Sequence, residues 1–250
     1  MTKPVLLVRA DGNQNDAEAL AALGIESVID PYISIEKATH AAGAVKLIAT
    51  LANAAEPTWL IATSANAIRL FGEIIGVENL RNAVKNPNLR FAAVGESTAK
   101  ALIEVGARMV LTPEVADSAS LAEMLLEQPI GTAVIPSGQL AMKQLPNALE
   151  ASGWNLITGV VYTTVPVIAQ PASVAGVTRG DYSAVIFRSP SAARSFLSFN
   201  AEAKLPMIAA GFTTAKVIED AGLEVASIPL NPTPEAVALA VQKVITTNEV

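Results

Sequence analysis

The chain has 250 residues, 51% of them hydrophobic, and a formal net charge of −6, enough apolar mass to bury about three-quarters of its unfolded surface without staples. It has no cysteine and one histidine, His40, so disulfides and thiolate chemistry are excluded, metal sites would have to be all-oxygen, and histidine catalysis has a single candidate base. The acidic balance argues against nucleic-acid binding and a polybasic membrane anchor, and no apolar run is long enough for a signal segment or a span, which predicts a soluble, cytoplasmic protein.

In chain order, residues 5–8 read as a short buried strand, 15–23 as a helix closed by Gly24, and 28–32 as a second strand ending at Tyr32. A helix over 41–54 follows His40, which lies in an Ala-rich stretch and reads as a surface residue. Strand 59–62 then leads through Thr63-Ser64-Ala65-Asn66 into a helix over 67–75. Strand 91–94 leads through Gly95-Glu96-Ser97-Thr98 into a helix ending at Gly106. Strand 109–111, helix 120–126, strand 133–135, helix 143–151 and strand 156–161 follow, the last ending at Tyr162. The Pro- and Gly-containing stretch 165–180 reads as irregular. Beyond it come strand 184–187, the turn Arg188-Ser189-Pro190-Ser191, helix 192–199, strand 207–210, the turn Gly211-Phe212-Thr213-Thr214, strand 225–228 and a last helix over 235–245.

This alternation predicts parallel sheets covered by helices. Internal repeats indicate two of them. Ala93-Val94-Gly95-Glu96-Ser97-Thr98-Ala99-Lys100 returns as Ala209-Ala210-Gly211-Phe212-Thr213-Thr214-Ala215-Lys216, and Ile61-Ala62-Thr63-Ser64 returns as Ile186-Phe187-Arg188-Ser189. A third unit is displaced: strand, helix, Gly24, strand, Tyr32 matches strand, helix, Gly153, strand, Tyr162. The N-terminal unit therefore completes the sheet begun at Ala184. The expected fold is α/β, with two flavodoxin-like, doubly wound parallel-sheet domains, one inserted in the other and joined by a two-stranded linker. Residues 1–36 plus 168–250 form the discontinuous domain and 38–166 the inserted one.

In doubly wound sheets ligands bind beyond the carboxyl ends of the strands, where helix N-termini present free N–H groups and a partial positive charge. The turns at Thr63-Ser64, Ser97-Thr98, Arg188-Ser189 and Thr213-Thr214 are thus expected to line one inter-domain cleft suited to a multiply anionic ligand. A purely structural reading stands beside this: Gly95 and Gly211 as tight-turn residues, and Ser97 or Thr98 and Thr213 or Thr214 as helix caps. Arg69 and Arg194, like Lys100 and Lys216, repeat at matching positions and read equally as ligand contacts or as solvated helix faces. The chain contains neither Gly-x-Gly-x-x-Gly nor a P-loop Gly-Lys-Ser/Thr, so nucleotide binding lacks its usual signature. Tyr32 and Tyr162 close equivalent strands, and position alone does not choose between them as proton donors.

The ordered set Arg9, Pro31-x-Ile33, Thr63-Ser64-x-Asn66-Ala67, Val94-Gly95-x-x-Thr98-Ala99, Val161-Tyr162-x-Thr164, Ser189-Pro190-Ser191-Ala192 and Gly211-x-Thr213-Thr214-Ala215 resembles the uroporphyrinogen-III synthase family across nearly the whole chain. The resemblance implies a cofactor-free, metal-free, monomeric lyase. Such an enzyme closes a linear tetrapyrrole, hydroxymethylbilane, into uroporphyrinogen III with loss of water and inversion of the last ring. It also implies that Tyr162 matches the family's functionally important tyrosine. Ser64, Thr98, Ser189 and Thr214 match its cleft residues, with Arg9, Gly95 and Gly211 beside them. Two departures stand out: Ser137-Gly138-Gln139-Leu140-Ala141-Met142-Lys143 replaces an arginine-containing loop, and Arg188 stands where a small hydroxyl residue is usual. A non-catalytic, two-domain binding protein for an anionic ligand or tetrapyrrole is the alternative these departures leave open.

Overall fold

A computed structural model describes residues 3–247 of the chain. The elements begin with β1 (Val5–Leu7), α1 (Asn13–Ala22), β2 (Ser27–Ile29), β3 (Ile33–Lys37) and α2 (Ala42–Ala52). Next come β4 (Thr58–Ala62), α3 (Ala65–Ile75), α4 (Val77–Ala83), β5 (Leu89–Ala93), α5 (Glu96–Glu104), β6 (Val110–Leu111) and α6 (Ser118–Leu126). The inserted part closes with β7 (Thr132–Gly138), α7 (Gln144–Ala151) and β8 (Asn155–Pro166). The chain ends through α8 (Ser173–Arg179), β9 (Ala184–Phe187), α9 (Pro190–Phe199), β10 (Met207–Ala209), α10 (Phe212–Asp220) and α11 (Pro234–Thr247).

Among the described residues, those up to Ile35 together with those from Val165 onward form one compact unit, and Glu36–Thr164 forms the other. The discontinuous unit holds a sheet in the order β10-β9-β1-β2, and the inserted unit one in the order β8-β7-β4-β5-β6 with β3 outside β8. Every pairing β1–β2, β1–β9, β9–β10, β4–β5, β4–β7, β5–β6 and β7–β8 is parallel. The doubly wound, one-in-the-other architecture read from the displaced repeat is therefore the observed one. β1 takes the place of β7, β2 of β8, β9 of β4 and β10 of β5. The place of β6 is taken by the segment around Ser227.

That segment departs from expectation. Instead of a strand over 225–228, a single parallel bridge joins Ile208 to Ser227, fastened by Ala226 N–H to Met207 O and Ala209 N–H to Ser227 O. Two short helices, α4 and α8, fall where the sequence read as connection. Gly and Pro at 171, 176 and 180 mask α8 in a reading by periodicity, because they lower helix propensity without forbidding seven helical residues.

The central strands are buried on both faces, which is why they read as unbroken apolar runs. Along β1, Val5 and Leu7 enter one core layer with Leu20 and Val241, while Leu6 and Val8 enter the opposite layer with Phe187 and Phe196. Along β4, Trp59 and Ile61 face α6 and α7 residues, and Leu60 and Ala62 face Leu47, Ile68 and Phe71. Each such aliphatic side chain, fully withdrawn from water, contributes about 1.5–3 kcal/mol. The two layers hold the strands' carboxyl ends, and the turns that leave them, at one edge of each sheet.

Candidate functional site

In the inserted unit, β4 lies between β7 and β5, so the turn at Thr63-Ser64 sits between the turns at Ser137-Gly138 and Val94-Gly95. Ser64 precedes α3 in an extended conformation, and its hydroxyl makes no capping bond. Gly95 precedes α5 with φ −177°, again without a side-chain cap. Neither N-cap residue supplies a side-chain acceptor to its helix, and a helix start that is not capped in this way favours an anion. By contrast α6, at the sheet margin, is capped by Asp117, which accepts from Ser120 N–H at 2.8 Å.

The discontinuous unit repeats the plan with β9 between β1 and β10. Gly211 precedes α10 at φ −171° with no side-chain cap, whereas Ser189 caps α9 itself, accepting from Ala192 N–H at 3.3 Å and bonding Ser191 Oγ at 3.0 Å. After β1 the chain turns through Arg9 to Gly12, whose φ of +71° starts α1. Glycine suits the turn because a Cβ would be strained at that φ; it would also stand 3.2 Å from the Arg9 guanidinium. Arg9 O accepts from Asn13 Nδ2 at 2.7 Å. Burial holds the Arg9 guanidinium below its ordinary pKa; Asp16 opposes this, Arg188 adds to it and Asp11 opposes it.

Arg188 does not offer its charge to the turn. It folds back on α1, pairing with both carboxylate oxygens of buried Asp16, with Nε–Oδ2 at 2.9 Å, and donating to Pro232 O. The atypical residue at this position is thus an internal clamp between α1, the turn after β9 and the approach to α11. Beside it Asn13 Oδ1 is buried without a hydrogen-bond partner among the described residues. Sequence reading missed this group because Asp16 and Arg188 are separated by most of the chain.

The two tyrosines separate here. Tyr32 is fully buried; its hydroxyl bonds Ser173 Oγ at 2.8 Å and accepts from Asn200 Nδ2 at 3.2 Å. Ser173 N–H in turn donates to Asp30 at 2.7 Å. Burial pushes the Tyr32 phenol above its ordinary pKa, the bonds to Ser173 and Asn200 opposing. Tyr162 is half-buried and packs on the edge of the core formed by Leu47, Phe71 and Val161. Its ring lies against Gly138.

Several expectations are corrected by these positions. Thr98 and Thr214 are neither caps nor open donors: they are the third residues of α5 and α10, with exposures of 4% and 3%. Gly95 and Gly211 are not tight-turn residues, since both are extended and any residue adopts that backbone. A Cβ on Gly95 would press on Ala116 at 3.0 Å, while one on Gly211 would meet nothing within 4 Å. Arg69, Lys100 and Lys216 are helix-surface partners of Glu73, Glu96 and Asp220, pairs worth little in solvent. Phe212, 81% exposed at the start of α10, was passed over. An aromatic directly after the repeated glycine was the available signal.

Comparison with known proteins gives a consistent result. The family model described as "Uroporphyrinogen-III synthase HemD" matches residues 14–238. A porphyrin biosynthesis protein HemD from Ruminiclostridium josui is 27% identical over 191 residues, 72% of this chain and 36% of that protein. The chain thus spans about a third of the length of that relative. Among solved structures, uroporphyrinogen-III synthetase from Helicobacter pylori is similar with a TM-score of 0.58 at 18% identity, covering 97% of this chain and all of that one. A mutant uroporphyrinogen III synthase from Thermus thermophilus is similar with a TM-score of 0.55 at 18% identity, covering 98% of this chain and 99% of that one. At that identity both speak for the fold alone.

Proposed function

The chain belongs to the uroporphyrinogen-III synthase family, and from that premise we propose that it cyclises hydroxymethylbilane to uroporphyrinogen III, with loss of water and inversion of the last pyrrole ring. The observation that carries this reading is the family match over residues 14–238. The placement of Tyr162, a half-buried tyrosine within β8 opposite the last residue of β7 and not at the strand end expected from sequence, supports the chemistry.

In the proposed reaction the terminal C–O bond breaks as the pyrrole nitrogen pushes its electron pair toward the ring, and the Tyr162 phenol gives its proton to the departing oxygen, forming water. The substituted carbon of the last ring attacks the resulting azafulvene and gives a spiro intermediate. The bond from that carbon to its original bridging methylene breaks, and the methylene re-forms its bond at the unsubstituted α-carbon of the same ring, on the other side of the ring nitrogen. The proton released on rearomatisation restores the phenol. Holding the chain in the inverted arrangement is the larger task, because the substituted carbon is the sterically poorer attacker. The carboxylates of the substrate suit the uncapped starts of α3, α5 and α10, and exposed Phe212, Leu140 and Met142 suit its apolar rings. Gly211 needs no glycine for its backbone or its neighbours, which fits close approach of a ligand to the main chain. Ser64, Ser189 and Arg9 complete the proposed binding set. Thr98 and Thr214 act through packing of the turns they lie beneath.

The same reading makes the protein a cytoplasmic monomer whose two units act as separate domains. Among the described residues no helix is long and apolar enough to cross a membrane. Incubating the purified chain with freshly prepared hydroxymethylbilane and resolving the product isomers tests the activity. The expected product is the inverted isomer, and formation of only the uninverted isomer at the spontaneous rate overturns the assignment. Light scattering tests the oligomeric state.

A further inference from the structure

The strand β8 breaks its own alternation immediately before Tyr162. Up to Ser137 the pairing with β7 is regular, Ser137 facing Val160; the next pair is Gly138 with Tyr162, so Val161 is the extra residue of a β-bulge. Ile157 and Val161, alternate residues of the strand, point into the core around Leu47 and Phe71, and Tyr162, adjacent to Val161, packs on that same core. A regular strand would have sent it to the opposite face. Bulges redirect a side chain in this way.

The space the redirected ring enters is supplied by one missing side chain. A Cβ on Gly138 would stand 2.5 Å from Tyr162 Cζ, 2.6 Å from Cε2 and 2.8 Å from the hydroxyl oxygen. Gly138 does not have a left-handed backbone, so an alanine is compatible with its conformation, and the three atoms nearest the added methyl all belong to the Tyr162 phenol. The turn after it is fastened to the same strand. Gln139 N–H donates to Tyr162 O at 2.9 Å, Thr163 Oγ1 donates to Gln139 Oε1 at 2.7 Å, and Ala141 N–H donates to Gly138 O at 3.1 Å.

We propose that Gly138, with the bulge opposite it and the Gln139–Thr163 bond, is the positioning element that aims the Tyr162 hydroxyl; the inference rests on the role proposed for Tyr162 above. The turn that lacks the family's arginines keeps this seat: its glycine is the surface on which the phenol lies.

Gly138→Ala tests it, read in two ways. In protein carrying 13C-labelled tyrosine rings, the Tyr162 signals should shift while those of Tyr32 and Tyr182 stay. With hydroxymethylbilane, kcat should fall roughly 10-fold or more with KM within about twofold, as expected for a misplaced reacting group. In a Tyr162→Phe background the same substitution should cost nothing further in kcat, because the two changes act on one step. An unmoved Tyr162 signal overturns the seat. A shifted ring with unchanged kcat, or an equal loss in the Tyr162→Phe background, overturns its positioning role. If the wild-type protein does not convert hydroxymethylbilane, the function proposed above falls, and the ring signals alone still decide whether Gly138 seats the phenol.

Discussion

In the discontinuous unit the tyrosine beyond β2, Tyr32, is enclosed and bonded to Ser173 and Asn200, while its counterpart in the inserted unit, Tyr162, lies half-buried on a glycine at the end of a bulge. The turns after the matching strands β9 and β4 differ in the same sense. Arg188 is clamped to Asp16 and Pro232, whereas the short, uncharged Thr63 stands in its place, and Ser64 makes no cap where Ser189 does. Two copies of one plan have thus been used differently. At the turn after β9 and at the tyrosine, one unit commits polar groups to holding its own elements together, and the other does not. Equivalence of position in a repeat therefore does not carry equivalence of role; the bonds each residue makes decide it.

The sharpest test of that difference is Arg188→Ala. Removing Arg188 takes from buried Asp16 the partner that bonds both its oxygens, and stability should fall by about 3–5 kcal/mol in urea unfolding; Thr63→Ala, at the matching turn, should stay within about 0.5 kcal/mol. Similar losses at both sites would break the contrast.

Next in size is the exchange of consequences between the tyrosines. Tyr162→Phe should lower kcat roughly 100-fold or more, the range for a positioned proton donor, with little change in melting temperature. Product that still forms should remain largely the inverted isomer. Tyr32→Phe should leave turnover intact but cost about 1–3 kcal/mol of stability, because Ser173 and Asn200 lose a buried partner. Timed isomer analysis and unfolding of both variants would show whether the roles are divided in this way.

A smaller effect is expected at the repeated glycines. Gly211→Val should leave stability within about 0.5 kcal/mol, since its backbone is extended and no atom stands within 4 Å, yet weaken binding of the cyclised product by its intrusion beside α10. Gly95→Val should also lower stability, as the side chain would press on Ala116. Product titration beside thermal unfolding separates the two.

The smallest effect concerns alkaline pH. Burial raises the Tyr32 phenol above its ordinary value, so the neutral phenol contributes stability that is fully present below the unfolded tyrosine pKa of about 10 and is lost as pH rises from there through the folded value. Wild-type stability should decline over that window, and the decline should be shallower in Tyr32→Phe. Parallel slopes would show that other groups carry it.

Much of this was legible in the residues. Unbroken apolar runs such as 59–62 and 184–187 name strands buried on both faces, and the displaced match of the units ending in Tyr32 and Tyr162 reveals a permuted sheet before any coordinates. Local chemistry was less well read. Thr98 and Thr214 look like caps in sequence, but a helix beginning directly after an extended glycine places them one turn in, on the buried side.

The sequence by itself determined the architecture, because alternation, repeat order and apolar periodicity are properties of neighbouring residues that parallel sheet formation can satisfy in few ways. It also determined the family, since the ordered turn motifs survive along the chain. Tertiary structure decided the rest. Asp16 and Arg188, or Tyr32 and Asn200, meet only after the chain has folded back through an entire inserted unit, and a single skipped residue opposite Gly138 turns Tyr162 to the face its sequence parity denies it. Such pairings depend on register and long-range closure, which no local pattern encodes.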